Sequence, residues 1–573
     1  MYKEKIKSFF NNHQELCYIL MLLILCILFI FANIGLYPLI DIDETRYVNM
    51  SKYMFLTKEY ITPMLNFEPF LEKPPLYFWL NVIAFKILGI KTAFAGRFMT
   101  GLVSTIGVFY TYFFAKTVLK SRLYGFLSSC VLLTSAWFLV FSHVAILDLN
   151  FMVFSSMAVY SAILPLFIEE EKKKKYFWYL GYFFMALSIL AKGFIGLAVP
   201  MMSVFFTYLA LGKIKEIFRL KYTIFGFIIL FLVALPWHIL IYHAYKQEWI
   251  NIYILKHHFS RLLNSEGLGR KQPFLFYLPI MLGGLIPWVF NFFGALIKDC
   301  KSLIQKIKVS TNIKEFLKLN SAEEKLLLFS YIYAICVFVF FSSASTKLPP
   351  YILTMFPPLS LIIGYFWFKA IKNNDNSKLF KVTNYINSIF LLTLSALGLI
   401  FTIIYKPILP DDVEIYITNA LNFSICALIV ILICSIVSIF TIKKRKPFLT
   451  FGLNILIMLC IIFTVCGYGI PYYTSFAQDE LEQYAKLIDE QENSQTVTYG
   501  FSAKYSILNP EKKIEYIVST DNEGYSKLKK FLNHSSKKVY IITRTKVDNL
   551  KGKKGFKKLK QGKVYEIYTY ISK

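Results

Sequence analysis

Charge is what this sequence has least of. Only 17% of its 573 residues are charged, against about 25% in soluble domains. Acidic residues are the scarcer half, 35 Asp and Glu against 63 Lys and Arg. Long runs carry almost no charge at all, for example 17–38, 222–240 and 386–405. Each matches the ~20 apolar residues that cross a bilayer as a helix, which excludes an ordinary soluble chain. The first run follows Lys3, Lys5 and Lys7 as a signal peptide would, but it is too long and lacks a small-residue cleavage site. It is expected to stay as the first span. Closely spaced cysteine pairs are also missing. All nine cysteines except Cys300 lie within or beside apolar runs. That excludes a cysteine metal cluster and implies no disulfide framework. They read as small hydrophobes in helices.

What is present is a strong basic excess, with a net charge of +28. A nucleic-acid partner is not implied, because most Lys and Arg before the last hundred residues sit in short clusters between apolar runs. That placement orients a membrane protein with its basic loops in the cytoplasm. After the N-terminal lysines the clusters fall at 120–122, 172–175, 213–221, 298–308, 369–381 and 443–446. An even number of spans must separate neighbouring clusters. Spans near 17–37, 97–118, 123–142, 150–168, 176–191, 194–211, 222–241, 274–297, 326–344, 350–368, 382–405, 419–441 and 448–470 meet this condition. The expectation is an all-α polytopic membrane protein of about 13 transmembrane helices, with its N-terminus cytoplasmic.

The run 76–90 is short and contains Asn81 and Lys86. Counting it as a span would invert every later loop, so it is expected to lie in the interface. The first outer loop then spans 37–96, and a second spans 242–272. The boundary is placed at 473: residues 1–473 form the transmembrane domain and 474–573 a small α/β domain outside the membrane. Strand-like stretches at 496–501, 514–518, 539–543 and 564–571 alternate there with helical ones at 476–491 and 525–532.

Ionisable residues at span ends are costly unless used or paired. Asp43, Glu44 and Arg46 open the first outer loop; the two acids equally suit the first turn of an amphipathic helix. Lys73 precedes Pro74 and Pro75, which stiffen the backbone. A lysine so held suits a phosphate headgroup, or it snorkels beside an interfacial helix. Asp148 ends span three on the same face, where it or Asn150 also suits a helix cap. Lys192-Gly193 breaks the positive-inside pattern. His257, His258 and Arg261 lie in the second loop, and two histidines alone are a weak metal signal. Lys347-Leu348-Pro349-Pro350-Tyr351 repeats the lysine–proline chemistry of Lys73. The topology gathers all of these on one membrane face.

The string Asp43-Glu44-Thr45-Arg46-Tyr47, with Asn66-Phe67-Glu68-Pro69-Phe70-Leu71-Glu72-Lys73-Pro74-Pro75, resembles membrane glycosyltransferases that include the lipid A aminoarabinose transferases and the protein O-mannosyltransferases. The former are the nearer match. Supporting strings are Ala191-Lys192-Gly193, Pro236-Trp237, His258 to Arg261, Pro287-Trp288 and Lys347-Leu348-Pro349-Pro350-Tyr351. The likeness covers most of 1–370.

The resemblance implies interfacial helices in the first outer loop and a small periplasmic C-terminal domain. It also implies a sugar donor carried on undecaprenyl phosphate, and transfer with inversion. Lys73 and Arg261 would hold the donor phosphate, with Arg46, Lys192, Lys347 and Tyr351 nearby. Asp43 and Asp148, with Glu44 beside them, would serve the sugar and the acceptor. Glu72 and His258 would hold a divalent ion as an accessory, with no cofactor required. His257 departs from the family, which usually has Glu at that place.

The expected activity is transfer of an amino sugar such as 4-amino-4-deoxy-L-arabinose to lipid A phosphate at the periplasmic face of a bacterial inner membrane. A protein hydroxyl or another envelope glycan is the alternative acceptor. A transporter fits less well, since its ionisable groups would sit near mid-membrane.

Overall fold

In a computed structural model, the apolar runs form helices packed side by side. The structure describes residues 13–260, 272–309, 321–373, 377–405, 414–471, 474, 479–491, 493–501, 511–545, 550–562 and 564–570. Among these, nine helices are long and apolar enough to cross a membrane. The count rises to eleven if two sharply bent pairs, 122–133 with 136–142 and 274–284 with 289–308, are each one span. The other two expected spans correspond to helices Glu171–Lys192 and Ile195–Ala210. The second of these has only 16 residues.

Burial sorts the helices. The span Leu147–Leu166 is buried over its whole apolar window, whereas Tyr222–His257 is buried over only 28%. A helix apolar all round belongs in the centre of a bundle or against lipid; here the first is central. Phe225, Phe231 and Leu232 on the second face outward. Close helix approach needs small residues. Gly364 on helix Phe356–Lys372 lies so near Ser128 that a Cβ there would meet the Ser128 backbone at 2.7 Å.

The first loop is ordered. Helix α1 (Asp43–Thr57) leads to a short hairpin, β1 (Met64–Leu65) and β2 (Glu68–Pro69), and then to α2 (Leu76–Leu88). The last is a 13-residue helix, too short to span, as its polar interruptions lead one to expect. Two indole N–H groups tie the loop down: Trp79 donates to the Tyr60 carbonyl at 2.7 Å and Trp237 to the Ile61 carbonyl at 2.8 Å.

After the last span the chain builds a five-stranded mixed sheet from β3 (Ser494–Tyr499), β4 (Ile514–Ile517), β5 (Lys538–Arg544), β6 (Phe556–Gln561) and β7 (Tyr565–Tyr570). The strand order is β4-β3-β5-β7-β6. The first three are parallel and the last two antiparallel. Helices Asp479–Asp489 and Asn522–His534 supply Tyr484 and Leu528 to two separate apolar clusters on the sheet. Four of the strands lie where alternation predicts them. The lysine-rich β6 does not announce itself as a strand, because its charges protect an exposed edge and hide the apolar alternation.

Candidate active site

The site grows from the ends of four elements. Asp43 and Glu44 begin α1, Asp148 begins the central helix Leu147–Ile163, Lys192 ends Glu171–Lys192, and Tyr351 lies in the turn Pro349–Met355.

Lys192 Nζ lies 2.5 Å from Asp148 Oδ1, and both side chains are largely buried. The same ammonium sits over the Tyr351 ring, 4.2 Å from its centroid, and 5.1 Å from that of Phe151. A buried cation so placed has its charge met by a carboxylate and by aromatic faces. Gly193 follows with φ 74 and ψ −145, a conformation open essentially to glycine alone. It stops the helix immediately after the lysine.

One cleft brings Glu72, Lys73, Lys192, His257, Thr346 and Tyr351 to its wall, alongside Phe194, Ile195, Phe340 and Phe341. Cationic and hydrogen-bonding groups thus meet a purely apolar surface. Next to it, Arg46 pairs with Asp43 at 2.5 Å and stacks over the rings of Tyr47 and Phe70, 4.8 and 5.8 Å from their centroids. Asp43 itself is 64% exposed. Arg46 Nη2 also donates at 3.1 Å to the Tyr47 hydroxyl, whose pKa burial raises.

Other candidates serve different ends. Glu44 is buried and both its oxygens are occupied. Arg97 donates from Nε and Nη2 at 2.8 and 2.7 Å, the Ala145 N–H at 2.6 Å and the Ile40 N–H at 2.8 Å. Arg97 also donates to the carbonyls of Ile34, Tyr37 and Pro38. Glu44 therefore locks the first loop to helix Ala93–Leu119 and has no oxygen left for the reacting role expected of it. Lys347 donates to the Ala344 and Gln272 carbonyls at 2.7 and 3.0 Å, and burial lowers its pKa. It braces the loop behind the cleft.

Of the expected metal pair, Glu72 is described, and its Oε1 lies 3.3 Å from His257 Nε2. The His258 side chain, and Arg261 as a whole, lie outside the described residues. Among the described residues no three or more His, Cys, Asp or Glu side chains cluster as metal ligands. Glu72 and His257 supply two donors, fewer than the three protein ligands of a catalytic zinc site.

Arg97 was not singled out from the sequence. An arginine inside an apolar span was a signal in its own right.

Three comparisons with known proteins give matches. A family model described as dolichyl-phosphate-mannose-protein mannosyltransferase matches residues 16–252. The undecaprenyl phosphate-alpha-4-amino-4-deoxy-L-arabinose arabinosyl transferase 1 of Proteus mirabilis is 29% identical over 431 residues, covering 75% of this chain and 71% of that protein. The corresponding transferase of Pectobacterium carotovorum is 27% identical over 392 residues, 66% of each chain. Among solved structures, ArnT from Cupriavidus metallidurans bound to undecaprenyl phosphate aligns with a TM-score of 0.74 over 98% of both chains, at 16% identity. Its apo form gives 0.72. At that identity the structural likeness speaks for the fold, and the sequence relatives speak for the chemistry. This chain is an aminoarabinose-transferase-like membrane glycosyltransferase.

Proposed function

We propose that this chain transfers an amino sugar, 4-amino-4-deoxy-L-arabinose, from undecaprenyl phosphate to a phosphate of lipid A at the outer face of a bacterial inner membrane. The observation that carries the reading is the cleft in which Lys73 and Lys192 stand against Phe194, Ile195, Phe340 and Phe341. A polyprenyl phosphate needs both surfaces, cations for its head and hydrocarbon for its tail. The names of the sequence relatives supply the sugar and its carrier.

In the proposed step an acceptor oxygen attacks the anomeric carbon. The bond from that carbon to the lipid phosphate breaks, and the phosphate leaves with the bonding pair. A single displacement inverts the configuration. Charge grows on the leaving phosphate, so cations fixed beside it lower the barrier. Lys73 is the principal one, with Arg46 and Lys192 close by. A lipid A phosphate is already anionic and needs no base. A hydroxyl acceptor would need one, and Asp43 is placed for it. Asp148, held by Lys192, orients the acceptor.

In this reading the N-terminus is cytoplasmic, and the site and sheet domain are periplasmic. Capping an acceptor phosphate with an amino sugar removes negative charge from the envelope and weakens its attraction for cationic peptides.

Mass spectrometry of lipid A from cells with and without the gene tests the acceptor. The expected result is a mass increment of one aminopentose that disappears with the gene. An unchanged lipid A, with a glycosylated envelope protein lost instead, overturns the lipid acceptor and favours the protein hydroxyl.

A further inference from the structure

The sheet domain grips the first loop at the tip of its hairpin. Met64 pairs with Pro69 and Leu65 with Glu68, leaving Asn66 and Phe67 as the turn residues. Both have positive φ, 52 and 66, as a two-residue hairpin turn of this kind requires. Asparagine tolerates that conformation, and its side chain does a second thing here. Asn66 Nδ2 donates to the Ile514 carbonyl at 2.8 Å, and the Ile514 N–H donates back to Asn66 Oδ1 at 2.9 Å.

Ile514 opens β4, the edge strand of the sheet. An edge strand presents unpaired N–H and C=O groups. The Asn66 amide satisfies both groups of one residue, as a neighbouring strand would. The grip extends beyond this pair. Leu65 packs against the cluster that contains Leu481, Tyr484 and Ile514. Lys513 Nζ lies 3.5 Å from Glu68. The Phe67 ring meets Tyr53 of α1 edge-on, with centroids 5.6 Å apart. Nearby, the charge of Asp41 reaches the Tyr565 hydroxyl on β7, whose pKa is raised chiefly by burial.

The other side of the hairpin leads to the site. The Phe70 N–H donates to the Pro63 carbonyl at 2.8 Å, closing the hairpin, and the chain continues through Leu71 and Glu72 to Lys73. Pro74 and Pro75 then limit its freedom. A shift at the hairpin tip is passed along a short, stiff segment to the lysine.

We infer that Asn66 is a positioning residue through which the C-terminal sheet domain sets Lys73 for the donor phosphate. The role of the domain is to hold the donor lysine from outside the membrane. This rests on the reading of Lys73 as a phosphate ligand.

The test uses the full-length protein in lipid nanodiscs, with undecaprenyl phosphate as the probe. Binding is measured for the unaltered protein, Asn66→Ala, Asn66→Asp, Lys73→Ala and the double variant Asn66→Ala/Lys73→Ala, and backbone hydrogen exchange is followed over 64–73. Two lost hydrogen bonds lead us to expect binding weakened about tenfold in Asn66→Ala. Asn66→Asp, which keeps the acceptor for the Ile514 N–H, should fall between. Exchange over 64–73 should accelerate, and the double variant should bind no worse than Lys73→Ala. Unchanged exchange and binding in Asn66→Ala, or additive losses in the double variant, overturn the inference. If Asn66→Ala does not fold, Asn66→Asp gives the same two readouts. If Lys73→Ala binds as the unaltered protein does, the donor-site reading fails. The exchange measurement then still decides whether the sheet domain holds the hairpin.

Discussion

At the scale of single residues, two neighbouring carboxylates show how position on a helix divides chemistry from support. Asp43 and Glu44 both open α1, and their types alone do not separate them. One turns to solvent beside Arg46; the other is 1% exposed and receives Arg97, itself fully buried. Removing one partner of a buried pair strands the other charge, at a cost of about 3–5 kcal/mol. Glu44→Ala is therefore expected to lower the melting temperature and the yield of folded protein, whereas Asp43→Asn should leave both unchanged and impair turnover. Differential scanning fluorimetry beside an activity assay checks this. Equal melting temperatures for the two variants would contradict the division. The candidate list read from the sequence held both acids because the partner that separates them, Arg97, comes from a distant helix.

At the scale of elements, the site depends on where helices stop. Gly193 ends its helix in a conformation that costs a residue with a Cβ of order 1–3 kcal/mol. Gly193→Ala should shift Lys192 without unfolding the bundle. A misplacement of about 1 Å can cost ~100-fold in rate, so kcat/KM is expected to fall by about 10- to 100-fold with membrane insertion intact. An unaltered kcat/KM would show that the Lys192 placement does not matter. The sheet domain has a pH-dependent element of its own. Asp521 caps helix Asn522–His534, accepting from the Gly524 N–H at 2.8 Å. The Ser519 hydroxyl and then this backbone bond hold its pKa below the usual value. A carboxylate with a depressed folded pKa stabilises above its unfolded value and loses that contribution as pH falls through the folded one. Hydrogen exchange in 522–534 is expected to accelerate on acidification through that range, and Asp521→Asn should flatten the response. The spans were legible because their only requirement is apolar length. The bends at 122–142 and 274–308 were not, since packing against neighbours, not composition, makes them.

At the scale of the molecule, a helical bundle carries a cleft at one end and a sheet domain docked on the loop that bears Lys73. The side of the membrane and the gathering of distant loops could be argued from charge placement and the loop strings. The docking of Asn66 on Ile514 could not, because it joins residues 448 positions apart through a side chain and a backbone edge. The central claim is that Lys73 and Asp43 work on a lipid-linked sugar in a common site. Purified protein given a synthetic undecaprenyl-phosphate aminoarabinose and lipid A tests it most directly. The account predicts transfer by the unaltered protein and a loss of about 100-fold or more in Lys73→Ala, with a comparable loss in Asp43→Ala. Full transfer by both variants would contradict it.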